Sequence, residues 1–197
     1  MKKYFCSFFL KVMFRSLKLK LLLRNLKQLK YSYNTFYSKI HEENVEKIIM
    51  ESGFKHKNNT NEKFYYINQP NGSQRPPDFI VVDNNESVQL ECKSKKTGYK
   101  PMWNSSYPNR TNLYIFTTQK DNCTLIIPGN KIITPKLETL LEKYKKATKQ
   151  LEITFNKEIK ELSKEDNPYD IGVYARNMFV QNKHFDEKDD IDNMDVE

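Results

Sequence analysis

The chain has 197 residues, a formal net charge of +8, and 38% hydrophobic, 13% aromatic and 29% charged residues. That length suits one domain with tails rather than two full domains. Its 12 Phe and 12 Tyr supply enough bulky apolar material for a core, which excludes collagen-like and wholly disordered chains.

Charge is distributed unevenly. Residues 1–41 hold ten basic side chains and no Asp or Glu, whereas residues 186–197 hold seven acids and one Lys. Residues 1–33 therefore read as a basic amphipathic extension that the domain does not need, with an arm for phosphates, a membrane-surface helix and a targeting peptide as the other readings. Its longest uncharged run, Tyr4 to Leu10, is far short of the roughly 20 apolar residues of a spanning helix, and no signal-peptide core is recognisable. Residues 184–197 read as an acidic disordered tail. Cys6, Cys92 and Cys123 have no CxxC spacing, so neither a disulfide framework nor a zinc cluster is expected, and a cytoplasmic, non-secreted location is the simpler reading.

In chain order, Asn34 to Ser52 has near-helical spacing of Phe36, Ile40, Val45, Ile48 and Ile49, with Gly53 as the stop. Phe64 to Ile67 reads as a short strand. Gln69 to Pro77 is loop chemistry, with Pro70, Asn71-Gly72 and Pro76-Pro77. Phe79 to Val82 and Ser87 to Lys93 form a predicted hairpin around Asp83-Asn84-Asn85-Glu86. A polar loop, Lys95 to Asn112, carries Trp103. Leu113 to Thr118 and Thr124 to Pro128 are two further predicted strands. Thr134 and Pro135 suit the cap and first position of a long amphipathic helix reaching Leu162, whose apolar stripe is expected to serve the core or a subunit contact. Ile171 to Tyr174 reads as a last strand. The order predicts an α/β (α+β) domain over residues 34–183, with a mixed β-sheet flanked by helices.

The residues that carry chemistry lie on the predicted hairpin. Glu91 and Lys93 are two apart and share one face of a strand, while Val88, Leu90 and Cys92 take the other. One face packs into the core; the other presents a carboxylate and an amine, and the hairpin folds Asp78 back towards them. Two carboxylates beside a lysine suit Mg²⁺, which accepts one or two carboxylates and keeps several waters. Such an ion polarises a phosphoryl oxygen and acidifies a bound water, and a neighbouring lysine positions the water and offsets developing charge.

Pro77-Asp78 followed by Glu91-Cys92-Lys93, with Asn71-Gly72-Ser73-Gln74 before and Pro101-Met102-Trp103-Asn104 after, resembles the PD-(D/E)xK nuclease superfamily, type II restriction endonucleases in particular. The resemblance covers roughly residues 40–118 and extends loosely to Tyr174-Ala175-Arg176. It implies a restriction-endonuclease-like core and Mg²⁺-dependent hydrolysis of double-stranded DNA to 5′-phosphate and 3′-hydroxyl ends, with Mn²⁺ able to substitute. It makes Asp78 and Glu91 metal ligands together with the carbonyl of Cys92, and Lys93 the catalytic amine. Many members add a Glu from the first helix; Glu42, which shares the stripe of Val45 and Ile49, is the candidate, with His41 as its neighbour and an ordinary surface or cap histidine as the simpler reading of that residue. Gln74, Lys95, Lys96, Trp103, Asn104 and Arg110 are candidate nucleic-acid contacts, although Trp103 equally suits an anchor of its loop on the core. A palindromic target implies a homodimer, and restriction implies a cognate DNA methyltransferase, in a bacterial or virus-infected cell. The rival readings are a repair, recombination or RNA-cleaving nuclease of the same fold, and a nucleic-acid-binding module without catalysis.

Overall fold

The computed structural model describes residues 15–31, 38–57, 62–73, 75–84, 86–98, 100–104, 107–175 and 178–193. Within these ranges the side chains of Ser38, Asn104, Met178 and Asn193 are not described. The elements in chain order are α1 (Leu17–Leu26), α2 (Ser38–Glu51), β1 (Lys55–His56), β2 (Phe64–Asn68), β3 (Phe79–Asp83), β4 (Glu86–Lys95), β5 (Trp103–Asn104), β6 (Asn112–Thr118), β7 (Cys123–Pro128), α3 (Gly129–Ile132), α4 (Pro135–Lys160) and β8 (Met178–Phe179). Two 3₁₀ turns follow, Glu187–Asp189 and Ile191–Asn193.

Among the described residues the protein is α/β, with a six-stranded mixed sheet in the order β1-β2-β3-β4-β6-β7. The predicted hairpin is present: β3 and β4 pair antiparallel from Asp83↔Glu86 to Phe79↔Leu90. β4 then runs parallel to β6, with Glu91 beside Tyr114 and Lys93 beside Phe116. A separate two-stranded ribbon joins β5 to β8.

The period-2 pattern sorts the sheet into two faces. Val88, Leu90, Cys92, Leu113, Ile115 and Ile126 pack with Val45 and Ile49 of α2 on one face. Tyr114, Phe116, Leu125 and Ile127 pack with Trp103 and Phe185 on the other. α2 ends at Glu51, and Gly53, at φ +85°, supplies the left-handed residue that terminates it. Residues 34–37, including Phe36, lie outside the described ranges.

Four expectations change. The first concerns the N-terminal boundary. α1 is part of the core: Leu19, Leu22 and Leu26 are 0% exposed and Leu23 is 1% exposed, each contributing roughly 1.5–3 kcal/mol by burial. Its cap Ser16 accepts from Leu19 N at 3.0 Å, and the N–H groups of Arg15 and Ser16 donate to the Glu86 carboxylate at 3.0 Å each. The basic Lys18 beside Leu19 is engaged too, with its Nζ over the rings of Phe54 and Phe64. A domain starting at residue 34 would lose this layer.

The second change concerns the acidic tail. Residues 184–193 fold along the edge strand β7: Phe185 and Ile191 are buried, on different faces of the sheet. Asp190 Oδ2 accepts from the N–H of Ile126 at 3.2 Å, while Lys27 pairs with Asp190 at 2.6 Å and with Asp192. The strap covers an edge that would otherwise expose unpaired backbone groups.

Third, α4 has the expected cap, with Thr134 Oγ1 accepting from Leu137 N at 3.2 Å and Pro135 in the first turn. It buries none of its residues, however, and Leu140, Leu151 and Phe155 are more than half exposed, so of the two expected roles of the stripe the core one fails. Fourth, Ile171 to Tyr174 forms no strand. It lies along α4, where Asn156 takes both the N–H and the carbonyl of Val173 at 2.9 and 2.8 Å, satisfying backbone groups that a sheet would otherwise have to satisfy. No helix of the described residues is long and apolar enough to cross a membrane.

Candidate functional site

The β3–β4 ladder stops at Phe79↔Leu90, and the chain before β3 swings into the loop 69–78. That loop is tied at both ends. Gln69 N donates to Asp78 O at 2.7 Å, Gly72 N donates to Gln69 O at 2.9 Å, and Asn71 Nδ2 donates to Pro76 O at 2.8 Å. Gly72 sits at φ +86°, which favours glycine. The result fixes the half-buried Asp78 in the notch beyond the last ladder pair. There its Oδ2 accepts from Cys92 N at 2.7 Å, so a side-chain oxygen replaces the main-chain acceptor that the departing strand no longer provides.

Glu91 and Lys93 project from the other side of β4 from Cys92, as the alternation requires. Glu91 is 6% exposed, and its Oε1 accepts from Lys93 Nζ at 2.6 Å. Lys93 Nζ also stands 5.8 Å from the centre of the Trp103 ring. Glu42 arrives from the first turns of α2. That helix is stitched to β2 by Glu46, which accepts from Tyr66 Oη at 2.9 Å and Asn68 Nδ2 at 3.1 Å, and by Glu42, whose Oε2 accepts from Gln69 Nε2 at 3.4 Å.

The electrostatics mark Glu42, Asp78, Glu91 and Lys93 as one group. Burial pushes the Glu42 carboxyl up to about 7, and the charge of Asp78 adds to the rise. Burial also lifts Asp78 above the usual carboxylate range, against the N–H of Cys92 and the charge of Lys93. Glu91 is raised by burial, against the pull of Lys93, and Asp78 pushes it further. One lysine faces three carboxylates, so the group lacks positive charge. Glu91 Oε2 is buried without a hydrogen-bond partner, and a cation would satisfy both deficits. Among the described residues no three His, Cys, Asp or Glu side chains converge tightly enough to hold a metal ion by themselves. Mg²⁺ does not require three: one or two carboxylates with waters suffice. Asp78 and Glu91, flanking the main chain at Cys92, fit that donor set. The Cys92 thiol is raised by burial and points into the core, as expected.

His41 is a correction to the surface reading. It is 1% exposed beneath the sheet, and its Nε2 lies 3.2 Å from Ile115 O. A carbonyl only accepts, so Nε2 carries the hydrogen. Burial pulls the ring down to about 4.

The expected nucleic-acid contacts divide. Trp103 is 4% exposed, stacked edge-on against Tyr114 at 5.1 Å, with Nε1 donating to Gln181 Oε1 at 3.2 Å. It anchors its loop on the second core and presents no face for a base, so of its two expected roles the anchor holds. Lys95 ends β4, Lys96 follows it exposed, and Arg110 lies in the turn before β6. Because Glu91 pairs with Tyr114, Lys95 and Arg110 lie on opposite sides of Glu91 along the strands and form no single cluster with it. Gln74 and the Asn104 side chain lie outside the described residues. Sequence reasoning missed Gln69; its place at the start of the Pro70-Asn71-Gly72 turn, in the same string that carries Asp78, was the available signal.

Comparison with protein-family models, with curated proteins and with solved structures finds no match to this chain.

Proposed function

We propose that the protein is a Mg²⁺-dependent nuclease of the PD-(D/E)xK type that hydrolyses phosphodiester bonds in double-stranded DNA, in the manner of a type II restriction endonuclease. The observation that carries this reading is the grouping of Asp78, Glu91 and Lys93 where β3 and β4 part, with Glu42 brought in from α2 and a buried Glu91 oxygen left without a partner.

In this reading Asp78, Glu91 and the Cys92 carbonyl hold the ion, which when bound supplies Lewis-acid polarisation of the phosphate. The chain's own residues do the rest. Lys93, oriented by Glu91, positions the attacking water and offsets the negative charge that grows on the phosphate oxygens. Attack forms a new P–O bond opposite the leaving 3′-oxygen. The P–O3′ bond breaks, the 3′-oxygen takes a proton from solvent water to become a hydroxyl, and the phosphate stays on the 5′ side. Glu42, whose carboxyl burial raises to about 7, takes in its ionised form the proton that the water gives up. Cys92 N–H keeps Asp78 aimed into the notch throughout.

An RNA-cleaving relative that works through a helix-borne His is disfavoured by the buried position of His41 against Ile115. A two-fold dimer and a partner methyltransferase belong to the restriction reading. The experiment is a digestion of methylation-free plasmid and of structured RNA, with Mg²⁺ or with a chelator, followed by sequencing of the ends. The reading expects discrete plasmid bands with 5′-phosphate ends in Mg²⁺ alone. Loss of RNA with intact plasmid would replace the substrate class, and no product from either would favour a binding module.

A further inference from the structure

Glu42 and Asp78 lie 36 positions apart on separate elements, and one residue touches both. Gln69, the first residue after β2, donates its backbone N–H to the carbonyl of Asp78 at 2.7 Å and turns its side-chain Nε2 to Glu42 Oε2 at 3.4 Å. It does so at φ +44°, a left-handed conformation that glycine or asparagine adopts more easily than glutamine. The turn alone would be better served by either of those residues. A strained backbone at a site persists when the surroundings over-determine it, and the surroundings here are the Asp78 carbonyl, the Gly72 N–H and the Glu42 carboxylate.

We propose that Gln69 is a positioning residue for the carboxylate group: its amide orients Glu42 towards Asp78 and Glu91, while its backbone N–H sets the main chain from which Asp78 projects. The inference rests on the nuclease reading and deepens it. An amide suits the task because it donates a hydrogen bond to a carboxylate without bringing positive charge into a place where a divalent cation would bind. A lysine or arginine there would compete with that cation. The 3.4 Å separation is long for a hydrogen bond, and contacts of this kind tighten when the full complex forms.

The test uses the full chain and Mn²⁺ alone as the calorimetric probe, in wild type, Gln69→Gly, Gln69→Asn, Glu42→Gln and the double variant Gln69→Gly/Glu42→Gln, with urea midpoints for each. Gln69→Gly relieves the left-handed strain, so it should fold with a midpoint at or above that of wild type. Gln69→Asn also tolerates the turn, but is one methylene too short to hold Glu42 as glutamine does. Both should bind Mn²⁺ about 10-fold more weakly, the lower end of what disturbing the shell around metal ligands costs, because Glu42 is the carboxylate that stands beside the ligands Asp78 and Glu91. The double variant should bind no more weakly than Glu42→Gln, because Gln69 acts through Glu42. Wild-type affinity in Gln69→Gly, or effects that add in the double variant, would overturn the positioning role while leaving the nuclease reading intact. A wild-type chain that binds no Mn²⁺ and cuts no nucleic acid would overturn both.

Discussion

The N–H of Cys92 donates to Asp78 Oδ2 at 2.7 Å, just beyond the last ladder pair of the hairpin, Phe79 and Leu90. The carboxylate thus has a structural duty as well as the proposed chemical one, and substitution separates the two. Asp78→Ala leaves the Cys92 N–H without its acceptor and should cost about 1–3 kcal/mol. Asp78→Asn keeps an oxygen acceptor, so its urea midpoint should stay close to wild type. Its cleavage rate should fall at least about 100-fold. An Asn variant that cuts at the wild-type rate would remove Asp78 from the chemistry.

Lys93 and Glu91 form a 2.6 Å pair with Glu91 nearly buried. Lys93→Arg keeps the positive charge beside Glu91, so the protein should remain folded. The planar guanidinium does not replace a compact ammonium at a reacting phosphate, and turnover should drop by about 100-fold or more. Retention of full rate in Lys93→Arg, measured by single-turnover cleavage, would show that any cation suffices there. Circular dichroism checks that folding is unchanged.

Leu22 is fully buried in the core layer contributed by α1. Leu22→Ala should destabilise by about 2–5 kcal/mol, and removal of residues 1–31 should leave a chain with no cooperative urea transition. A truncated chain that unfolds with the wild-type midpoint would restore the reading of this segment as dispensable.

Lys27 and Asp190 clamp the C-terminal strap to α1. Burial lowers the Lys27 ammonium, but Asp190 and Asp192 outweigh it and hold Lys27 above its usual 10.5. Asp190 moves the other way from a simple ion pair: burial lifts its carboxyl in spite of Lys27. The pair therefore offsets its own desolvation rather than adding much net stability, yet losing one partner strands the other. Lys27→Met should cost roughly 3 kcal/mol at pH 7. Because Lys27 is raised in the folded state, its contribution is complete below about pH 10.5 and lost as pH rises through the folded value. The wild-type thermal midpoint should therefore fall above that pH, and Lys27→Met should remove that part of the fall. Equal midpoints for both proteins at pH 7 would show that the strap does not depend on the clamp.

The hairpin, the strands at 64–68, 112–118 and 123–128, and the cap of α4 were legible because each rests on local pattern: alternation, turn residues, and Thr134-Pro135. The opposite faces of Glu91 and Cys92 followed from the same alternation. What was not legible depended on distant partners. The leucines at 19, 22, 23 and 26 read as an amphipathic arm because nothing in the local sequence says that Glu86 would cap the helix entrance or that Phe54 and Phe64 would receive Lys18. The acidic run read as a solvated tail because a single lysine, more than 160 positions away, neutralises the part that packs. His41 carries ring nitrogens that usually face water, and its burial follows from a tertiary partner, the carbonyl of Ile115. For Trp103 the anchor was one of two equal readings, and the partner that decides between them, Gln181, is distant in sequence.

The central claim is that Asp78, Glu91 and Lys93 act together on a phosphodiester with a divalent ion. Its most direct test is conversion of supercoiled methylation-free plasmid in Mg²⁺ by wild type and by Glu91→Gln, a variant that preserves shape and removes one negative charge. The account predicts cut plasmid from wild type, none with chelator, and a loss of at least about 100-fold in the variant. Equal cutting by both proteins, or cutting that persists in chelator, would contradict it.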